Sequence, residues 1–328
     1  MAVTSSGEIR ISDVLTEVGL STTLANTSLG NLEGGSVFTI NTNSPAKPNG
    51  SAPNSLSEWY SYDHSATASF TNGYYQLSGN NDSNRGGRNS ASAGVFTIDG
   101  TQDLSFAGWW RFDATHTGST TAKQFMGIGI DGNNQIFFQN RGSEIRFRLR
   151  FSGNFHEARY FLHQSGNDTP SGITSNAAIN ATNRGNVNAD GFVHLAFTYD
   201  ASQDSPANSL KVYWNGTLLT QTSTPNSLTA ALRNNNTYNA DVVTIGGIRS
   251  NVNATNAHIG GIDNLVIYKT LLSSTNVTSL YNSGTSISAT DAGVTTGLDG
   301  EWTNETDDTD SQGSWDTLYT NGAARTAY

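Results

Sequence analysis

Residues 144–151 alternate strictly between apolar and charged side chains, and this repeat constrains the fold more than any other feature of the chain. Ile145, Phe147, Leu149 and Phe151 share one side of an extended segment and lie opposite the intervening arginines. Successive side chains of a β-strand point to opposite faces of the sheet. The alternation therefore predicts a strand with one face in a hydrophobic core.

Further strands follow at short intervals along the chain. Residues 193–200 alternate in the same way, and segments 210–214 and 217–221 flank the pair Asn215-Gly216. An Asn-Gly pair supplies the positive φ angles of a type I′ hairpin turn. Many short strands with few helices predict an all-β chain that folds as an antiparallel sandwich of two sheets.

Three short helical segments interrupt the strand pattern. One is expected to begin at the N-cap Ser12 and to end at Gly19, and a helical turn is expected after Ser55. The third is expected to begin after Ser273 and to end near Gly284. Serine side chains accept hydrogen bonds from the first-turn N–H groups, and glycine readily adopts the left-handed conformation that ends a helix.

Composition and pattern divide the chain into three parts. Residues 1–66 contain the first two helical segments and a proline-rich linker, and they are predicted to be an N-terminal docking arm too short for a core of its own. Residues 67–285 are predicted to be the sandwich. Residues 286–328 are polar and acidic, and they are predicted to be a C-terminal tail or a set of edge strands.

The overall charge and the absence of cysteine exclude several classes of protein. The chain has 17 basic and 27 acidic residues, a formal net charge of −10, which argues against a nucleic-acid binder. It has no cysteine, so disulfides and thiolate metal sites are excluded. No apolar run approaches the roughly 18 residues of a membrane span. Residues 1–7 lack the pattern of a secretory signal, so we expect synthesis in a cytoplasm.

Three segments together resemble the laminin-G-like, concanavalin A-like jelly roll. They are residues 104–112 with a central tryptophan, residues 191–216 with the strand pair His-Leu-Ala-Phe-Thr-Tyr-Asp and Tyr-Trp-Asn-Gly, and residues 260–282. The resemblance implies a jelly-roll sandwich. It does not choose a function, because this fold serves glycan binding, protein adhesion and hydrolysis alike.

Two segments of the N-terminal arm, residues 9–20 and 53–64, look like the openings of tailed-phage structural proteins. This resemblance implies a virion protein that is made in the host bacterial cytoplasm without a signal peptide. Its expected partners are other virion proteins and copies of itself. A short arm that docks onto a larger assembly agrees with the same resemblance.

Motifs for catalysis are weak. Jelly-roll glucanases place their two carboxylates on a single strand, and no such run occurs here, because Glu144, Asp200 and Asp263 stand singly. No Gly-x-Ser-x-Gly motif is present. The run Gly-Ile-Gly-Ile-Asp-Gly at 127–132 precedes a turn and a strand rather than a helix, so it is not a dinucleotide site. We expect the protein not to be an enzyme.

Calcium is the one cofactor that the sequence raises. The resemblance places Asp263 at the aspartate of the closing strand, where related jelly rolls often hold this ion. The alternative is that Asp263 hydrogen-bonds nearby backbone in a turn. Residues 308–313 match the start of an EF-hand loop, but Tyr319 stands where that loop needs glutamate.

Two groups of side chains are candidates for binding. Arg146, Arg148 and Arg150 form a cationic stripe that could bind an acidic glycan or an acidic neighbouring subunit. The alternative is a solvated strand face with cross-strand salt bridges. Aromatic side chains of the arm and tail are expected to be buried against neighbouring subunits, since aromatic residues are enriched in protein interfaces. These residues are Trp59, Tyr60, Tyr62, Trp302 and Trp315.

The expected function is that of a non-enzymatic phage virion structural protein. It is a surface decoration or appendage component, on capsid or tail, that displays a laminin-G-like adhesion module. The alternative is a tail-fibre lectin that attaches to host-surface glycans. A glycoside hydrolase is a third and weaker hypothesis. No nucleic-acid partner and no membrane insertion are expected.

Overall fold

The structure is a computed structural model, and it describes residues 10–21, 28, 31–32, 48, 55–62, 64, 73–78, 83–87, 89–113, 122–163, 173, 179, 186–247, 258–303, 310–315, 319–321 and 324–327. The chain divides into two compact units, Met1–Ser69 and Phe70–Tyr328, which we call unit 1 and unit 2. The break lies close to the boundary that composition predicts after residue 66.

Unit 1 contains helix α1 (Ile11–Glu17) and a 3-10 turn (Leu56–Trp59). The N-cap of helix α1 is Arg10, two residues before the predicted Ser12, because the backbone N–H of Arg10 donates to Asp13 Oδ2 at 2.8 Å and fixes the first turn there. Gly19 has a φ of +70° just beyond the helix, as predicted.

Unit 1 has a small hydrophobic cluster of its own, so the prediction of an arm without a core is wrong. Val14 and Leu15 from helix α1 pack with Leu32, Trp59 and Tyr62, and each of these side chains is buried. The rings of Trp59 and Tyr62 meet edge to face with 5.0 Å between their centroids. Two large aromatic side chains supply enough apolar surface to cover one face of a two-turn helix.

Unit 2 is built from eighteen strands in the part of the chain that the structure describes. They are β1 (Gly73–Ser78), β2 (Ser83–Gly87), β3 (Phe96–Ile98), β4 (Leu104–Trp110), β5 (Lys123–Asp131), β6 (Asn134–Arg141), β7 (Glu144–Phe151), β8 (Asn154–Phe161), β9 (Val193–Tyr199), β10 (Leu210–Trp214), β11 (Thr217–Leu218), β12 (Ser223–Asn226), β13 (Tyr238–Ala240), β14 (Val242–Ile245), β15 (Ile259–Tyr268), β16 (Leu298–Trp302), β17 (Tyr319–Asn321) and β18 (Ala324–Ala327). Short helices are α2 (Ser90–Ala93), α3 (Pro206–Ser209), α4 (Ala230–Asn234), α5 (Ser274–Tyr281) and a 3-10 turn (Asn282–Gly284).

The strands form two large antiparallel sheets. Sheet I has the order β11-β10-β9-β4-β15-β1-β18, and β16 pairs with β15 beside β1. Sheet II has the order β12-β8-β7-β6-β5-β14-β2-β17, and β3 and β13 form a separate ribbon. The first and last strands of unit 2 are neighbours in sheet I, and long connections cross between the sheets. The predicted all-β, antiparallel two-sheet jelly-roll sandwich is confirmed.

The core lies between the two sheets. The alternation in strand β7 directs Ile145, Phe147, Leu149 and Phe151 into it, and all four side chains are fully buried. Phe147 of sheet II meets Phe197 of sheet I with 5.8 Å between the ring centroids. The alternation of apolar and polar residues along the strands thus gives each sheet one apolar face, and the two apolar faces pack together in the sandwich.

The predicted hairpin between strands β10 and β11 is present. Asn215 and Gly216 both have positive φ angles, 48° and 78°, which is the conformation of a type I′ turn. The Asn215 side chain accepts a hydrogen bond from the backbone N–H of His194 at 2.9 Å, which ties the turn to strand β9.

The C-terminal segment belongs to the sandwich rather than forming a separate tail. Strand β16 pairs with β15, β17 with β2 and β18 with β1, so β17 and β18 are the edge strands that the alternative anticipated. Trp302 and Trp315 lie in the main core, and Trp315 Nε1 donates to Asp299 Oδ2 at 3.0 Å.

Helix α5 covers part of the outer face of sheet I. Ser273 caps it, as predicted, by accepting a hydrogen bond from the N–H of Asn276 at 3.1 Å. The helix ends at Asn282, which takes the left-handed conformation with a φ of 44°, two residues before the glycine expected to end it. Val277 and Leu280 face the sheet. None of the described helices is long and apolar enough to cross a membrane.

Candidate functional site

The outer face of sheet II places charged and aromatic side chains in rows, because strands β6, β7 and β8 are in register. The rows are Gln139–Arg146–Arg159, Phe137–Arg148–Glu157 and Gln135–Arg150–Phe155. The side chains of strand β7 on this face are those predicted from its alternation. Strand β8 follows after a two-residue turn and contributes the neighbouring column.

Six charged side chains on this face form what we call the arginine cluster: Arg146, Arg148, Arg150, Arg159, Glu144 and Glu157. They contribute four positive and two negative charges, a local net charge of +2 in a chain with a net charge of −10. The cluster therefore remains cationic after its internal ion pairs are made.

Glu157 is the centre of the ion pairs. Its carboxylate is fully buried and accepts hydrogen bonds from Arg148 Nη2 at 2.9 and 3.0 Å and from Arg159 Nε at 2.7 Å. Burial by itself raises the pKa of Glu157, but the positive charge of Arg148 and the hydrogen bond from Arg159 outweigh it, and the pKa lies below its usual value. Glu157 therefore stays ionised at neutral pH and holds both arginines in place.

Arg146 does not have the ligand-binding role predicted for it. Its side chain is 5% exposed, and its Nε donates to Glu144, which is also buried. A guanidinium that is covered and already paired has no free edge for a ligand. For this residue the alternative prediction, a cross-strand salt bridge, describes the observed contacts better, since Arg146 Nη1 also lies 3.9 Å from Glu157 Oε1.

Arg148 and Arg150 share one aromatic ring. Their guanidinium carbons each lie 5.0 Å from the ring centroid of Phe155, which is half-buried. Arg150 also donates to the carbonyl oxygens of Gly132 at 2.5 Å and Gly153 at 3.3 Å. Both guanidinium groups are thus held in position, and both remain partly accessible to solvent. The arrangement offers N–H donors for a carboxylate beside an apolar ring face.

Arg159 and Phe155 are members of this site that the sequence interpretation did not include. A signal for them exists, because Phe155, Glu157, Arg159 and Phe161 alternate in strand β8 as the arginines do in β7. A two-residue turn between the strands places the outward residues of both on the same face. Arg159 retains 26% side-chain exposure and is the most accessible arginine for which an ion pair on this face is resolved.

Glu157 does not have the environment of a glycosidase general acid. Glu144 and Glu157 share the same neighbour, since Arg159 Nε lies 3.6 Å from one and 2.7 Å from the other. A general acid needs a carboxyl whose pKa is raised so that it is protonated near neutral pH. The lowered pKa of Glu157 is the opposite condition.

A buried histidine–serine pair lies on the core side of strand β8. His156 Nε2 lies 2.6 Å from Ser209 Oγ, and His156 Nδ1 accepts a hydrogen bond from the backbone N–H of Leu228 at 3.1 Å. Burial, together with the charge of Arg233, lowers the pKa of His156 to about 3. In the neutral ring the proton is therefore on Nε2, which donates to Ser209. A general base would have to accept from the serine, so this pair does not activate a nucleophile.

Asp263 is buried and hydrogen-bonded, and its calcium role stays a prediction. Its side chain is 3% exposed, and its Oδ2 accepts a hydrogen bond from Ser286 Oγ at 3.3 Å. Calcium takes about six to eight oxygen ligands, usually with several carboxylates. Within the described residues, no group of three or more His, Cys, Asp or Glu side chains is placed to hold a metal ion.

The aromatic residues predicted to contact neighbouring subunits are mostly buried inside the chain. Trp59 and Tyr62 are fully buried, Trp302 and Trp315 lie in the sandwich core, and Tyr60 is half-buried. The prediction is wrong for the four buried side chains, because the apolar surface of each is covered by contacts within the chain and is not available to a neighbouring subunit. Sequence position in an arm or tail does not reveal this burial.

No protein-family model matches the chain, and no curated protein matches it. Solved structures do. A heptameric pentraxin from Limulus polyphemus is 8% identical, with a TM-score of 0.43, and the match covers 78% of this chain and 95% of the pentraxin. The botulinum neurotoxin serotype G binding domain is 14% identical, with a TM-score of 0.40 and coverage of 57% and 37%. A Bacteroides ovatus protein with a proposed carbohydrate-binding role is 12% identical, with a TM-score of 0.40 and coverage of 74% and 60%. The chain thus spans less than two thirds of the last two structures.

Proposed function

We propose that the protein is a non-enzymatic adhesion protein of a virion, and that its sandwich binds an acidic glycan at the arginine cluster. The observation that carries the proposal is the pair of partly exposed guanidinium groups, Arg148 and Arg150, that share the ring of Phe155. Arg159 lies in the adjacent row and extends the cationic surface.

The ligand chemistry follows from these groups. A carboxylate accepts paired hydrogen bonds from a guanidinium, and the apolar face of a sugar ring packs on an aromatic side chain. A glycan that carries uronic or sialic acid has both features in one residue. Because the cluster keeps a net charge of +2 in an acidic protein, it attracts such a ligand while the rest of the molecule repels it.

The virion assignment rests on the N-terminal segments 9–20 and 53–64, which resemble the openings of tailed-phage structural proteins. Unit 1 supports it in one respect, because a compact unit with its own hydrophobic cluster is suited to docking on an assembly. The protein is then a surface decoration or appendage component, with copies of itself and other virion proteins as partners.

The same site supports a second candidate, a tail-fibre lectin that attaches to host-surface glycans. The two candidates share the chemistry of Arg148, Arg150 and Phe155 and differ in where the protein sits. Labelling the protein with antibody-coupled gold on purified virions separates them. Label over the capsid or along the tail identifies a decoration or appendage component, and label confined to the tail tip identifies the lectin.

The test of the binding site uses the full chain and two variants. Purified protein is titrated with oligosaccharides that contain uronic or sialic acid and with the matching neutral sugars. We expect saturable binding of the acidic sugars only, a loss of at least about tenfold in affinity for Arg148→Ala and Phe155→Ala, and weakening by added salt. Lys269→Ala is the control, because Lys269 directly follows strand β15 of sheet I, away from the arginine cluster, and pairs with Asp299.

Equal affinity for acidic and neutral sugars, or unchanged binding by both variants, contradicts the proposal. If acidic sugars do not bind but Arg148→Ala abolishes incorporation into virions, the ligand is an acidic neighbouring subunit instead. The non-enzyme part has its own test, because release of reducing ends from any of the acidic polysaccharides contradicts it.

A further inference from the structure

A cavity of about 360 Å³ lies on the outer face of sheet I, between strands β9, β10 and β11 and the residues that begin helix α5. Its volume is near the lower end of the range of about 300–1,000 Å³ that small-molecule sites occupy. At ~30 Å³ for each water-sized atom, it holds a molecule of about a dozen non-hydrogen atoms. The cavity lies on the opposite sheet from the arginine cluster, so it is an independent feature.

One wall of the cavity is apolar. Its lining includes Tyr213 from strand β10, Leu218 and Leu271. These two leucines are 44% and 43% exposed, and only two other large apolar side chains among the described residues are comparably exposed. Exposed apolar side chains usually lie scattered, so a pair that lines one cavity points to an apolar occupant.

The other wall carries one cation with no partner of its own. Lys211 lines the cavity, is exposed, and makes no hydrogen bond or ion pair with another residue in the described parts of the chain. Asp200 also lines the cavity, but its Oδ1 accepts hydrogen bonds from the N–H and the hydroxyl of Ser202, at 3.0 and 2.6 Å. Asp200 Oδ1 is therefore already held by Ser202, whereas the ammonium of Lys211 has no hydrogen bond or ion pair among the described residues.

We propose that this cavity binds a small carboxylate with a compact apolar body. The carboxylate pairs with Lys211 Nζ, and the apolar body lies between Leu218 and Leu271 on the ring of Tyr213. Burial of the apolar body supplies the affinity, and the ammonium selects the sign of the charge. Thr198, next to Lys211 across strands β9 and β10, lines the same wall and offers a hydroxyl to the second carboxylate oxygen.

The test uses two probes with the same apolar body and opposite charge, 3-phenylpropionate and phenethylamine. Each is titrated into the full chain by calorimetry and by NMR of the leucine methyl groups. We expect saturable binding of 3-phenylpropionate, with shifts of the Leu218 and Leu271 methyl signals, and at least about tenfold weaker binding of phenethylamine.

Variants locate the site. Lys211→Met is expected to lower the affinity for 3-phenylpropionate at least tenfold, while Lys211→Arg keeps most of it. Leu271→Ser is expected to weaken binding as well. Leu232→Ser is its matched control, because Leu232 is 48% exposed on helix α4 and does not line the cavity.

The proposal is overturned if 3-phenylpropionate does not bind saturably at millimolar concentration, or if phenethylamine binds equally well. It is also overturned if Lys211→Met binds 3-phenylpropionate as tightly as the native protein. Thermal unfolding of each variant accompanies the titrations, and since Lys211 is exposed, unchanged melting temperatures are expected. Because the arginine cluster is intact in all of these variants, acidic-glycan binding stays unchanged and tests the proposed function separately.

Discussion

The two outer faces of the sandwich differ in the chemistry of their side chains. The outer face of sheet II carries charged side chains that neutralise one another, with Glu157 between Arg148 and Arg159. The outer face of sheet I carries apolar side chains, and helix α5 covers them with Val277 and Leu280. The ion pairs leave a rigid cationic surface on one side, and the incomplete helical cover leaves a cavity on the other.

The candidate binding surfaces on the two sheets arise in different ways. On sheet II the site consists of arginine side chains whose positive charge exceeds that of the neighbouring glutamates. Short contacts to the buried carboxylate of Glu157 hold these arginines in place. On sheet I the site consists of space left over after helix packing, so it selects by shape and by one lysine. Stability on sheet II should therefore respond to charge, and stability on sheet I to volume and burial.

The largest effect is expected from Glu157→Gln on sheet II. The substitution leaves Arg148 and Arg159 without their shared carboxylate, and we expect a loss of about 3 kcal/mol in the free energy of unfolding. This is the lower end of the range for a broken buried ion pair, because both arginines reach solvent. Urea unfolding at pH 7 measures this loss.

Asp241→Asn, at an exposed position, is the control and should change stability by less than about 0.5 kcal/mol. A similarly small change for Glu157→Gln would mean that these ion pairs contribute little to the free energy of unfolding.

The next effect is expected from Leu280→Ala on sheet I. The side chain is 3% exposed between helix α5 and the sheet, so its truncation removes apolar contact and opens space. We expect a loss of about 2.5 kcal/mol, near the low end for buried leucine because a short helix can move to close the gap. Unlike the loss for Glu157→Gln, it should be insensitive to salt. Leu232→Ala, with 48% exposure, is the control in the same urea experiment. A strong salt dependence for Leu280→Ala contradicts the contrast between the faces.

The smallest effect is a pH dependence that also separates the faces. His194 lies on sheet I against Trp109, and burial lowers its pKa to about 3. In the unfolded chain its pKa is about 6.5, so below pH 6.5 the unfolded state binds a proton that the folded state does not, and stability falls as the pH falls. At pH 5.5 the cost is about 1.4 kcal/mol.

His194→Phe should remove that part of the loss between pH 7 and pH 5.5 and keep the ring packing. His156 and His258, with pKa values of about 3 and about 4, still contribute to the remaining slope. Glu157 acts in a lower pH window, because its lowered pKa gives stability that is present above about pH 4.3, the pKa of an unperturbed glutamate, and is lost only below it. An unchanged slope in His194→Phe between pH 7 and pH 5.5 would show that this histidine is solvated in the native state.

Local features of this protein were predictable because each is determined by neighbouring residues. The alternation in strand β7, the Asn215-Gly216 turn and the Ser273 cap all appear where the sequence placed them. The class of fold followed from the number and spacing of such strands. Even Phe155 and Arg159 could have been found, since a two-residue turn continues the same alternation into strand β8.

The pattern of residues along the chain specified which side chains of each strand share a face, and therefore that two sheets enclose a core. What lies against the opposite faces depended on the three-dimensional fold. It placed Glu157 in register with Arg148, removed Arg146 from solvent, buried Trp302 and Trp315 in the core, and opened the cavity beside Lys211. The physical reason is that alternation specifies direction along one strand, whereas pairing and burial depend on residues far apart in the chain.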